Sequence, residues 1–180
     1  MLNARNLATG VKARRGDGTI GDRVGAKVVC DSGFAVARGQ IANVHIGAEV
    51  KILSKAMIKQ IDRVLNDLSH QVVEFRKSEK KAIAVAIVGI NSAEQYTSYE
   101  RERVWRTDGK THPHPVQEAH KAELRLAAEA KPRFDELIIL KFRASNEEPY
   151  PFEWSDADAT ALDYEAALIR ISGEYDRRFP

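Results

Sequence analysis

The sequence predicts an α/β fold, a mixed β-sheet flanked by helices, and three observations carry that expectation. Ile58, Ile61, Leu65, Leu68, Val72 and Phe75 recur at steps of three and four, which draws one apolar stripe along a helix from about Lys55 to Arg76. The stretch Lys81–Ile90 is continuously apolar after its opening lysine and is bounded by charges and Asn91, the pattern of a strand covered on both faces. A second apolar run, Glu136–Phe142, follows a further helical segment. Strand–helix–strand units of this kind imply parallel strands joined by right-handed crossovers.

The remaining elements follow in order. Residues Gly10 to Gly25 are rich in glycine and charge, and Arg15-Gly16-Asp17-Gly18 reads as a turn. Two short strands are expected at Ala26–Cys30 and Phe34–Arg38, separated by Asp31-Ser32-Gly33. Ile41–Leu53 is a longer strand whose alternation changes phase near Gly47, where a bulge or break is expected. Ser54 is the expected N-cap of the helix that follows. Asn91–Pro115 reads as a long, charged surface excursion, and Val116–Lys131 as a helix stopped by Pro132. A last helix is expected near Asp158–Ser172, with Ser155 and Asp156 as cap candidates. No repeat and no linker is evident, so one domain over residues 1–180 is expected.

Composition narrows the function classes. No run approaches the ~20 apolar residues of a membrane span. The lone Cys30 cannot form an internal disulfide, and the basic N-terminus does not read as a secretory signal. A cytoplasmic protein without a membrane partner is expected. The formal net charge is only +2, so any binding of nucleic acid must use a local basic patch.

The informative spot is Gly47-Ala48-Glu49-Val50-Lys51-Ile52. Residues two apart on a strand share a face, so Glu49 and Lys51 project together from a segment otherwise made of Val, Ile and Leu. An unpaired buried charge is costly, so the pair calls for an explanation. It is either an ion pair that closes the structure, or a site where a carboxylate holds a cation and a lysine handles an attacking water or a phosphate. Asp31 lies upstream between two short strands, and Gln60 lies downstream on the helix that leads into the apolar strand.

This order of features, carried by Ile46-Gly47-Ala48-Glu49-Val50-Lys51-Ile52 and Lys59-Gln60-Ile61 between Asp31 and Ile90, resembles the PD-(D/E)XK nuclease superfamily and its restriction-endonuclease-like fold. The resemblance implies a metal-dependent endonuclease acting on DNA in bacterial restriction or antiviral defence. In such a site Asp31 and Glu49, with the backbone carbonyl of Val50, would hold Mg²⁺ or Mn²⁺. Lys51 would orient the nucleophile or stabilise developing charge, and Gln60 would hydrogen-bond the water or a phosphate oxygen. Lys55, Lys59 and Arg63 would follow the DNA backbone. Asp17 and Asp22 are alternatives to Asp31 as the first acid. Cutting both strands of a duplex commonly needs two active sites, so a homodimer is a reasonable expectation.

Two other readings stay open. One keeps the fold without the chemistry, as a DNA-binding or oligomerisation module. The other draws a zinc or manganese site from His112, His114, Glu118 and His120. Tyr96, Tyr99 and Trp105 could stack on bases or pin their loop to the core.

Overall fold

The computed structural model describes residues 17–24, 29–30, 32–33, 37–99, 103–106 and 115–180. Nine strands and three α-helices run through them. They are β1 (Gly18–Arg23), β2 (Val29–Cys30), β3 (Ala37–Arg38), β4 (Ile41–Leu53), α1 (Met57–Ser78), β5 (Ile83–Asn91), β6 (Gln95–Ser98), β7 (Arg103–Arg106), α2 (Pro115–Arg125), β8 (Glu136–Arg143), β9 (Glu153–Trp154) and α3 (Ala157–Arg178). Between α2 and β8 lie a π-helical turn, Leu126–Ala130, and a 3₁₀ turn, Lys131–Arg133.

The fold is α/β. A five-stranded mixed sheet has the order β1-β4-β5-β8-β9, with β4, β5 and β8 parallel and the two outer strands antiparallel. β5 is central because its residues, Ile-Ala-Val-Ala-Ile-Val-Gly-Ile, are apolar on both faces; all but Ile87 are buried. Its Ala84, Ala86, Val88 and Ile90 pack beneath α1 and α2, while Ile83 and Val85 pack with Ala167 of α3. Both crossover helices cover the same face, as a shared hand of the two connections requires.

The apolar stripe of α1 seats as its periodicity predicts, with Ile61, Leu65, Leu68, Val72 and Phe75 all buried. Its start differs from expectation. Ala56 occupies the N-cap position in a left-handed conformation with no side-chain cap, so Ser54 does not cap the helix. The acceptor arrives from α2 instead, where the buried Glu118 carboxylate takes a 2.7 Å hydrogen bond from the Met57 N–H. A negative charge at a helix N-terminus is favourable against both the unsatisfied donors and the dipole. Glu118 thus has a structural task. His112 and His114, which the candidate zinc or manganese site also needs, lie outside the described residues.

The phase change in β4 is a bulge. Ile20 pairs with Ile46 and Gly21 with Val44, which leaves His45 as the extra residue, two positions before the glycine where the break was expected. β1 itself is a departure from the expected turn. β2 and β3 form a separate two-stranded sheet, close to the expected pair of short strands. The excursion after Asn91 contains the β6–β7 hairpin, in which the Arg103 guanidinium lies 4.0 Å over the ring of Trp105. Asp156 caps α3 through a hydrogen bond from the Ala159 N–H.

Asn91, fully buried, ties the carboxyl ends of the parallel strands together. Its Nδ2 donates to the Ala144 carbonyl at 2.8 Å, and its Oδ1 accepts from the N–H groups of Ala93 and Ala144. At the other end of the strands, Asp135 accepts from the Ala84 N–H and pairs with Arg76 and Arg178. No described helix is long and apolar enough to cross a membrane.

Candidate active site at the edge of β4

Glu49 and Lys51 leave β4 toward α1, on the face that also carries Gly47 and Leu53. Gly47 is needed there. The Phe75 ring lies so close that a Cβ on residue 47 would sit 2.5 Å from its Cγ. This close approach seats the C-terminal half of α1 on the strand just before the charged pair.

The pair is not in the core interior. Among the described residues β1 begins at Gly18, opposite Ala48, so there β4 runs past its antiparallel neighbour from Glu49 onward. The two side chains are consequently shielded without being sealed, at 12 % exposure for Glu49 and 25 % for Lys51. Lys51 Nζ donates to Glu49 Oε1 at 2.8 Å and lies 3.8 Å from Asp67 Oδ2 on α1. Asp67 went unnoticed in the sequence, where it is one polar residue among many on an amphipathic helix.

The three candidate first acids have different positions. Extending the β1–β4 register by one residue puts Asp17 across from Glu49, and Asp17 Oδ2 accepts a 2.8 Å hydrogen bond from the Val50 N–H. The side chain thus takes the place of the next backbone carbonyl where β1 ends. Asp22 lies at the far end of β1, about 17 Å along the strand. There it accepts from Asn43 Nδ2 at 3.1 Å and approaches His45 Nε2 at 3.3 Å. The hydrogen bond from Asn43, aided by His45, holds the Asp22 carboxyl below its ordinary range. Asp31 lies outside the described residues.

The other expected site residues divide by position along α1. Gln60 donates to the Lys55 carbonyl at 3.2 Å, in the first turn of the helix. It stands seven residues before Asp67, about 10 Å along the axis, so the structure does not bring it beside the Glu49–Lys51 pair. Lys55 Nζ bonds the hydroxyl of the buried Ser98. Lys59 and Arg63 are both exposed, and with Asp67 they form one i, i+4 ridge that ends next to Lys51.

The donor set suits a hard cation. Val50 points its N–H toward Asp17, and in a strand the carbonyl of the same residue faces the same side. Asp17 and the Val50 carbonyl lie along this edge of β4 with Glu49 on the face beside it, and Mg²⁺ is commonly held by one or two carboxylates with waters completing its shell. Among the described residues, no group of three His, Cys, Asp or Glu side chains gathers as a richer metal site would. Compared with protein-family models, with curated proteins and with solved structures, the chain finds no match.

Proposed function

We propose that this chain is a metal-dependent nuclease that hydrolyses phosphodiester bonds of DNA, using Mg²⁺ or Mn²⁺ at the edge of β4. One observation supports the reading: Glu49 and Lys51 pair on one face of β4, and Asp17, across from Glu49 in the extended register, accepts from the neighbouring Val50 N–H. The cation, held by Asp17, Glu49 and the Val50 carbonyl, would supply Lewis-acid polarisation and a more acidic water. Asp17 is fixed by the Val50 N–H, which sets where its second oxygen can reach. Glu49 holds the Lys51 ammonium at the site, and that ammonium offers its charge to a phosphate oxygen. The exposed Lys59 and Arg63 give salt-sensitive, sequence-blind attraction along the ridge that leads to Lys51.

Duplex cleavage through this site calls for two copies, hence a homodimer on DNA, and the setting in this reading is cytoplasmic restriction or defence. The test is nicking of supercoiled plasmid in Mg²⁺. Lys51→Ala and Glu49→Gln are expected to lose about 10²-fold or more in rate. Asp17→Asn is expected to match them while Asp31→Asn cuts normally; the reverse outcome returns the first-acid role to Asp31. Cleavage by Lys51→Ala at the wild-type rate would sink the proposal.

A second reading has its own observation. Glu49 and Lys51 already satisfy each other at 2.8 Å, which is what a closed structural pair would do. On that reading the same fold binds DNA without turnover. It predicts retained, salt-sensitive binding with no cleavage in any divalent metal.

A further inference from the structure

Val50 and Ile52 alternate with Glu49 and Lys51 and so face the opposite side of the sheet. There, at the carboxyl ends of β4, β5 and β8, lies a cavity of about 450 Å³. Its floor is the strand surface of Val50, Ile52, Ile87 and Leu140, with Gly89 between Ile52 and Phe142. A Cβ at residue 89 would come within 3.3 Å of the Phe142 ring and 3.6 Å of Ile52, so the glycine keeps the floor low. The walls are aromatic. Phe142 stacks on Phe152 at 5.3 Å, Phe152 meets Trp154 edge-on at 5.0 Å, and Tyr96 and Tyr150 complete the wall of an open groove.

We propose that this cavity is a binding site for an uncharged, planar aromatic small molecule, separate from the β4-edge site. The proposal does not depend on the nuclease reading. Four features support it. The volume lies in the range of small-molecule sites, roughly 300–1,000 Å³. Among the described residues no Asp, Glu, Lys or Arg lines it, so a charged ligand would lose its hydration without a partner there. Among the described residues the non-aromatic polar side chains at the lining are Ser54 and Asn146, enough to orient one polar edge of a ring.

The fourth feature is that the outer wall is held in shape before any ligand arrives. Asn146 and Tyr150 both have φ of 60°, a left-handed conformation that non-glycine residues adopt at a cost. They hold it because the loop is stapled to β6. Asn146 Nδ2 donates to the Thr97 carbonyl, the Thr97 N–H to the Ser145 carbonyl, and Gln95 and Thr97 both donate to the Glu147 carboxylate. A wall already ordered removes part of the entropy cost of binding. The aromatic faces then favour a flat ring over a saturated molecule of equal size.

Quinoline, cyclohexanol and 1-naphthoate are suitable probes, titrated at pH 7 while the amide resonances of Ser54, Gly89 and Asn146 are followed by NMR. Quinoline is expected to give saturable shifts at all three amides. Cyclohexanol and 1-naphthoate should each bind at least tenfold more weakly. Phe152→Ala and Ile52→Lys, both at exposed positions and outside the β4-edge site, should each weaken quinoline at least tenfold with the spectrum otherwise unchanged. Equal affinity for cyclohexanol, or no saturable shift, would overturn the proposal. So would sedimentation showing a dimer that Phe152→Ala dissociates, since the groove would then belong to a second copy of the chain.

Discussion

Replacing Gly47 with alanine tests how the strand carrying Glu49 is seated. The new Cβ would meet Phe75 Cγ, Cδ1 and Cδ2 at 2.5, 2.6 and 2.6 Å. Carbon atoms rest at about 3.5–4.0 Å, so ring and strand must separate by about 1 Å. Phe75 is fully buried, and its close-packed neighbours resist that movement. Overpacking of this kind costs about 2–3 kcal/mol, partly offset by up to about 1 kcal/mol from removing a flexible glycine from a strand. Urea unfolding should therefore show Gly47→Ala less stable by about 2 kcal/mol. Phe75→Leu supplies the control, because it makes room under residue 47. The double variant should be more stable than the sum of the two losses predicts, by about 1 kcal/mol. Glu49 is two residues along on the same face, so under the proposed nuclease function plasmid nicking should fall in Gly47→Ala and recover partly in the double variant. A Gly47→Ala protein within about 0.5 kcal/mol of wild type, or strictly additive losses, would refute the reasoning.

Two further outcomes are expected. Lys51→Ala should destabilise more than Glu49→Ala, about 2 against about 1 kcal/mol, because the first strands a shielded carboxylate while the second leaves Lys51 with Asp67 at 3.8 Å; equal losses in urea unfolding would contradict the asymmetry. Asp135 tests the opposite end of the sheet. Burial would raise its carboxyl above the ordinary 3.8, but hydrogen bonds from Arg178 and the Ala84 N–H, with the charges of Arg178 and Arg76, hold it lower. A lowered folded-state value means that its contribution is present above about pH 4 and is lost as pH falls through the folded value. Asp135→Asn should cost about 2 kcal/mol at pH 7, with the gap to wild type closing in acid. A gap independent of pH would show that the charge of Asp135 is not what matters.

The parts of the fold that were legible in the sequence are those where one residue pattern decides. The stripe from Ile58 to Phe75 reads as a one-sided helix from its spacing alone, and the apolar run ending at Ile90 reads as a covered strand from its length and its bounding charges. β1 was not legible, since Gly-Thr-Ile-Gly-Asp-Arg has one large apolar residue and two glycines. It is a strand because β4 offers it a ladder, a fact that local propensity does not contain. The cap of α1 was hidden for the same reason, because Glu118 lies 61 residues beyond the N–H it satisfies.

The candidate site shows the same division. The shared face of Glu49 and Lys51 follows from strand geometry alone. That Asp17 stands across from Glu49 depends on the register of two strands separated by the β2–β3 hairpin, and spacing along the chain had pointed to Asp31. Lys59 and Arg63 were visible as a basic helix face, yet their line toward Lys51 depends on the antiparallel lie of α1 against β4, as Phe75 beside Gly47 and Asp67 beside Lys51 reveal.

The proposed nuclease requires Asp17 and Glu49 to grip one cation at the edge of β4. Crystals soaked in Mn²⁺ and measured for anomalous scattering test it directly. The account predicts one strong peak in contact with both carboxylates and the Val50 carbonyl, abolished in Glu49→Gln. A peak bridging Glu49 to Asp31, or none at Glu49 while the Lys51–Glu49 pair stays closed, would contradict it.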